Sequence, residues 1–384
     1  MVKFVAVGDI MMGGKVEEII IKYGSEYLFE HVAPILQDSD ITFGNLEAPL
    51  TNEKNKVVWD YSKILDEPVI IDGKMFGNSI FCKALPESID GLVFAGFGIV
   101  SLANNHIMDY GKNGLFDTLN VLSNYNIKSI GAGKNLTEAR KPVIIQIKNV
   151  KVGFLAYCDV YVSSKKEPGN APSKYIERDI QNLKDSVDII IISIHQGMDI
   201  VDYPLPNEVK LMHSIIDFGA NLILRHHPHV IQGIEHYNNG TIVYSPGNFV
   251  FDYEIDPLWK DLPKTRESIL FQCEISKQGI SEEKIIPVIL NNQYQPVPAI
   301  GEKRDEILYR INKLSLELTT NASSFCTTEL ENEYAKTQTN LAFHVLISSI
   351  KKKQFKNIIS ILSRVKIYHI KLLIKYLIKS TCRL

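Results

Sequence analysis

The sequence contains no C-x-x-C pair, and its five cysteines (Cys82, Cys158, Cys273, Cys326 and Cys382) are scattered and odd in number. That argues against a disulfide framework and a thiolate zinc site, and makes a reducing compartment the simplest setting. No apolar run without charges approaches the length needed to span a bilayer. The N-terminal apolar run meets Asp9 too early for a secretory signal. The expected location is therefore cytoplasmic, with any membrane contact peripheral at its inner face. Aromatic and basic residues are not interleaved, which makes a nucleic-acid surface an unfavoured reading.

A strong net charge is also missing: the 384 residues carry a formal net charge of −2. That balance conceals an asymmetry. Residues 335–384 hold eleven of the 42 Lys and Arg and none of the 44 Asp and Glu. An acidic body thus carries a basic tail.

What is present is a rhythm of short apolar strands and amphipathic helices. Lys3–Val7, Ile41–Phe43, the residues before Ser101, PVIIQI (142–147) with VKVGFLAY (150–157) as an antiparallel pair, VDIIIISIHQG (187–197) and the start of NLILRHHPHVIQG (221–233) read as strands. Helices are expected near 16–23, 25–37, 113–125, 174–185 and 207–218. The alternation predicts a largely parallel, layered α/β sheet, in which ligands bind at the carboxyl ends of the strands. At those ends stand Asp9, then Asn45 with Glu47, then Asn105 and His106, then His195, then His227 and His229, and Asn248 at a sixth. A single polar cluster after a strand is unremarkable. Five repetitions are hard to explain as solvated loops.

The stretch RHHPHVIQG (225–233) places three histidines around a proline. Pro228 biases His227 towards an extended backbone. Taken alone, the stretch reads equally well as a metal-facing loop or as a basic, solvated turn. Together, Asp, Glu, Asn and His without Cys suit Mn, Fe, Zn or Mg, held as one or two ions by ligands converging from several strands.

The run VGDIMMGG (7–14), FGNLEAPLT (43–51), SLANNHIMDYG (101–111), GKNLTEARKPVII (133–145), IISIHQGMDIVDYP (191–204), HHPHVIQGIE (226–235) and IVYSPGNFVFD (242–252) resembles the CapA family of poly-γ-glutamate and capsule synthesis proteins. That family is similar in fold to the calcineurin-like metallophosphoesterases. The resemblance covers 1–290 and implies a layered α/β sandwich there, while NNQYQPVPAIG (291–301), with prolines at 296 and 298, reads as a linker and 302–384 as a basic helical extension. The resemblance also implies a hydrolase-like protein of capsule or exopolymer synthesis, acting through metal-activated water on a phosphoester or an anionic γ-glutamyl polymer. The other reading is a non-catalytic assembly or export factor for an acidic polymer. Capsule-synthesis machinery is the implied partner.

Residue by residue, the resemblance implies that Asp9 binds the first ion and, with His106, serves catalysis. Glu47, with Asn45 beside it, takes the bridging place, and Asn105 ligates the second ion. His106 serves as acid or charge stabiliser over the leaving group, and His195, His227 and His229 complete the coordination, with His226 structural. Met11 departs from the phosphoesterase signature Asp-x-His, and Asp199 stands where a Glu is usual. Arg225 replaces a glycine, and Pro246 interrupts a Leu-Gly-Asn segment.

Arg140, Arg178 and Arg266 read mainly as surface or capping charges, and Trp59 and Trp259 as rim residues. Helices are expected at 303–320 and 340–380. The last has an apolar face and a separate basic one, fit either for an anionic membrane surface or for packing on the acidic body.

Overall fold

The computed structural model describes residues 1–57, 80–256, 259–260 and 262–321. The chain opens with β1 (Val2–Ile10), α1 (Lys15–Tyr23), α2 (Ala33–Gln37) and β2 (Ile41–Leu46), then α3 (Ile89–Phe94), β3 (Ile99–Ser101), α4 (Gly111–Asn124) and β4 (Lys128–Ile130). Short β5 (Ala132–Gly133) and α5 (Leu136–Ala139) lead to β6 (Val143–Ile147), β7 (Val150–Tyr157), β8 (Gly169–Asn170) and α6 (Ile176–Leu183). Next come β9 (Ile189–His195), α7 (Pro206–Phe218) and β10 (Leu222–His226). The remainder is β11 (Ile234–Tyr237), β12 (Gly240–Val243), β13 (Asn248–Val250), β14 (Glu267–Ser276), β15 (Gly279–Leu290), β16 (Pro296–Pro298) and α8 (Gly301–Asn321).

Two mixed sheets result, in agreement with the layered α/β sandwich that the family resemblance implies. One runs β16-β15-β14-β1-β2-β3-β4, with β13 also on β1; the other runs β11-β12-β10-β9-β7-β6. Parallel pairing joins β1 to β4 in the first sheet and β7, β9, β10 and β12 in the second. Antiparallel pairing adds β14, β15 and β16 to one side of the first sheet and β6 and β11 to the two edges of the second.

The period-2 geometry of strands explains the layering. In β1, Phe4 and Ala6 face the second sheet, whereas Val5 and Val7 face the helices outside. In β9, Ile189 and Ile191 face the first sheet, and Ile190 and Ile192 turn to α6 and α7. Phe154 of β7 anchors the inter-sheet layer, its ring 6.3 Å from those of Phe4 and Phe43. Each fully buried apolar side chain of this kind contributes roughly 1.5–3 kcal/mol. Uninterrupted apolar strands are therefore covered on both faces, giving an α/β sandwich of four layers.

The stretch 291–301, expected as a linker, instead turns back and adds β16 antiparallel to β15. Helix α8 is docked as well. Its Ile307 and Ile311 join the inter-sheet core, and Lys303 and Arg310 both pair with the buried Glu267. An edge strand accepts prolines at positions that need no donor, which is how Pro296 and Pro298 fit. The expected helix 340–380, the basic tail and Trp59 lie outside the described residues. Among the described residues, no helix is long and apolar enough to cross a membrane.

The fold brings the carboxyl ends of β1, β2 and β3 together with those of β9 and β10. Contact across the sheets is direct: His226 Nδ1 lies 3.1 Å from Asp9 Oδ1.

Candidate metal centre

Asp9 is brought to this edge by an irregular stretch of β1. The pairing register with β2 shifts between Ala6 and Asp9. At Gly8 a Cβ would stand 1.8 Å from Gly247 O, so only glycine lets the backbones approach and Asp9 N donate to Gly247 O at 3.1 Å. Asp9 Oδ1 also accepts from Asn45 Nδ2 at 2.8 Å. Burial opposes ionisation of Asp9, but His226, His229 and the Asn45 amide outweigh it and hold its carboxyl below the usual value.

Glu47 is fully buried, and neither carboxylate oxygen has a hydrogen-bond donor. Its Oε1 lies 3.5 Å from His195 Nε2 and 3.7 Å from His229 Nε2. Burial, and then the charge of Asp9, push its pKa well up. His226 Nε2 and His227 Nδ1 are likewise buried and unpartnered. Orphaned buried acceptors of this kind are costly, about 1–3 kcal/mol each, unless something satisfies them. A divalent cation would satisfy them together and would reverse the pressure on Glu47.

The donor set fits such an ion. Asp9, Glu47 and His195 each offer a ligand atom within 4.8 Å of one another, as do Glu47, His227 and His229. Glu47 belongs to both groups. Asn105 Oδ1 stands 2.8 Å from His195 Nε2, at the half-buried mouth of the site.

The histidine loop turns sharply instead of extending as Pro228 suggested. His227 has φ +100° and His229 φ +57°, conformations that side chains rarely adopt. The turn aims both rings at the cluster, with centroids 5.8 Å apart. Burial pushes the His227 pKa down to about 4, and burial lowers those of His195 and His229 too, keeping these imidazoles neutral and available as ligands. His227 Nε2 is 3.2 Å from Asp199. His229 Nδ1 is set by Asn248 Oδ1 at 2.9 Å, and its ring is flanked by Phe251 and Trp259.

Asn45 stands inside the cluster. Asn104 Oδ1 accepts from His106 N and Ile107 N, which fixes its amide nitrogen towards Leu46 O and Asn45 Oδ1. Asn45 therefore has its oxygen turned to Asn104, and its nitrogen lies between Asp9 and His195. In this arrangement the Asn45 amide links Asp9, His195 and Asn104. Sequence reasoning missed Asn104, although the doubled asparagine of ANNH carries the signal. His226, read as structural, is buried against Asp9.

Met11 is fully buried in the apolar core outside the first sheet, its Sδ 3.2 Å from Gly13 N. No imidazole stands at that position.

His106 faces a separate group at the rim. Its Nδ1 is 2.7 Å from Asp109 Oδ2, which also accepts from Cys82 N at 2.7 Å. Burial disfavours charge on His106, but Cys82 and Asp109 override it, and its pKa stands well above the usual value. Sequence reasoning gave neither neighbour a role; Cys82 lies 24 positions before His106, and no motif links the two.

Beneath the loop, the fully buried Arg225 donates Nη2 to Glu208 Oε2 and Nη1 to Gln232 Oε1, both at 2.6 Å. Gly197, at φ +129°, makes room: a Cβ there would lie 2.1 Å from Arg225 Nη2. Arg140 pairs with Asp179, and Arg266 with the Leu290 carbonyl, so both are structural.

Residues 3–253 match the family described as bacterial capsule synthesis protein PGA_cap. A capsule biosynthesis protein CapA of Bacillus anthracis is 32% identical over 308 residues, covering 77% of this chain and 70% of that protein. A PGA biosynthesis protein CapA of Bacillus subtilis is 32% identical over 316 residues, with 80% and 77% covered. A solved phosphatase from Mycoplasma pneumoniae aligns at 14% identity and a TM-score of 0.46, covering 75% of this chain and 93% of that one.

Proposed function

The chain belongs to the family of bacterial capsule synthesis proteins, and on that premise we propose that it is a metal-dependent hydrolase of capsule or poly-γ-glutamate synthesis. Its substrate would be a phosphoester or an anionic γ-glutamyl polymer, and its setting the machinery that makes the polymer. The observation that carries this reading is Glu47: a carboxylate with two orphaned oxygens, shared by two ligand groups at the meeting edge of two sheets.

Asp9, Glu47, His195, His227 and His229 would hold the ion or ions, with Asn105 at the mouth. A divalent ion there supplies Lewis acidity and a water acidified towards neutral pH. Asn45 and Asn248 orient Asp9, His195 and His229 through the hydrogen bonds described. His106, held by Asp109 and protonated near neutral pH, donates a proton to the departing oxygen or nitrogen.

Metal analysis with a panel of phosphodiester and γ-glutamyl substrates tests the proposal. The expected result is bound Mn, Fe or Zn with turnover. His106→Ala should lose roughly 10²–10⁴-fold in kcat while its metal content stays unchanged. Met11 favours a second reading, since an apolar side chain at that position leaves one ion short of a ligand. In that reading the protein is a non-catalytic assembly or export factor. Tight metal with no turnover across the panel would select it.

A further inference from the structure

The thiol of Cys82 is hydrogen-bonded to the His106 ring, outside the main ligand groups. Cys82 is 1% exposed and belongs to the apolar core outside the first sheet, with the polar His106 and Asp109 beside it. Cys82, His106 and Asp109 each offer one ligand atom, and these atoms lie within 4.8 Å of one another. The three are buried together, and the group is tied: Asp109 Oδ2 accepts from both Cys82 N and His106 Nδ1, and the Asp109 backbone oxygen accepts from Val57 N at 2.9 Å. The other described cysteines, Cys158 and Cys273, appear in none of the ligand groups.

Sulfur changes what the group can hold. The main centre offers carboxylate and imidazole only, whereas a thiolate beside an imidazole and a carboxylate is a borderline-soft set that selects zinc-class ions over magnesium or manganese.

We propose that Cys82, His106 and Asp109 form a second metal site, specific for a zinc-class divalent ion, and that its occupancy takes His106 out of the reaction. The second half rests on the acid role given to His106 above; the first half does not. Binding converts the thiol to a thiolate and the His106 imidazolium to a neutral ligand, releasing both protons to solvent, so no oxidant or co-reactant is required. The ion would act as an inhibitor, leaving the ligands of the main centre untouched.

The test uses the full-length protein and Co²⁺ as probe. A thiolate bound to cobalt absorbs by charge transfer in the near ultraviolet, and carboxylate and imidazole ligands alone do not. Titration of the wild type should raise that band, Zn²⁺ should abolish it, and Cys82→Ser should lack it while keeping the weaker visible bands of the main centre. If the serine variant does not fold, alkylation of native wild type followed by peptide mass mapping replaces it. Zn²⁺ should then slow labelling of Cys82 and leave Cys158 and Cys273 unchanged. No band in the wild type, a full band in Cys82→Ser, or labelling of Cys82 indifferent to Zn²⁺ overturns the site. With an active substrate in hand, excess Zn²⁺ should lower wild-type turnover roughly 10²-fold, the scale of a lost general acid. A protein with the band but no turnover on any substrate refutes the hydrolase reading and leaves this site standing; turnover insensitive to Zn²⁺ beside an intact band refutes the inhibition alone.

Discussion

Glu47→Gln should change stability in opposite directions with and without metal. In the metal-free protein Glu47 is a carboxylate with no donor, fully buried and repelled by Asp9. Removing its charge while keeping its shape relieves that repulsion. The gain is a fraction of the cost of an unpaired buried group, about 1–2 kcal/mol. In the metal-loaded protein the same change removes the carboxylate common to both ligand groups. Wild type saturated at a thousand times its dissociation constant gains about 4 kcal/mol, and the variant should forfeit most of it. Calorimetric melts after chelation and again with excess Mn²⁺ would read both effects. The variant should melt a few degrees above wild type in chelator and clearly below it in Mn²⁺. A variant that melts lower than wild type by the same amount in both conditions would refute the reasoning, because Glu47 would then be an ordinary structural carboxylate.

Asn104→Asp replaces a donor to Leu46 O and Asn45 Oδ1 with an acceptor. It should cost about 2 kcal/mol in denaturant unfolding and weaken metal affinity measured by calorimetric titration. Arg225→Met leaves Glu208 without its buried partner, so a loss of about 3–5 kcal/mol is expected; a neutral result in chemical denaturation would show that the pair does not support the histidine loop. Glu254 is pushed down to about 2 by its hydrogen bonds to Lys15 and Lys260. A folded pKa below the unfolded value stabilises above the unfolded pKa of about 4.5 and loses that contribution as pH falls towards 2. The stability of Glu254→Gln should therefore vary less than that of wild type across this acid window.

Legibility in the sequence followed what is local. Strands and helices of the body appear close to their expected positions because apolar runs and amphipathic periods are properties of neighbouring residues. The strand-end polar residues could be found for the same reason, since each follows an apolar run. Asn45 shows the limit. Its place at the end of β2 was readable, but which end of its amide faces the cluster depends on Asn104, whose own orientation is set by two backbone amides. Cys82 shows it more sharply. Nothing in its surroundings along the chain joins it to His106 and Asp109, and only the packed loops do so.

By itself the sequence determined the α/β class, the family motifs and the set of metal-suited side chains at strand ends. Tertiary structure decided that there are two sheets, because an apolar run specifies that both faces of a strand are covered without saying whether a helix or another sheet covers them. It also turned the expected linker into an edge strand, since pairing with β15 is a long-range event that prolines permit only at an edge. And it decided which lone pairs meet at Glu47. Convergence of Asp9, His195 and His229 depends on the relative placement of two sheets, which no local pattern encodes.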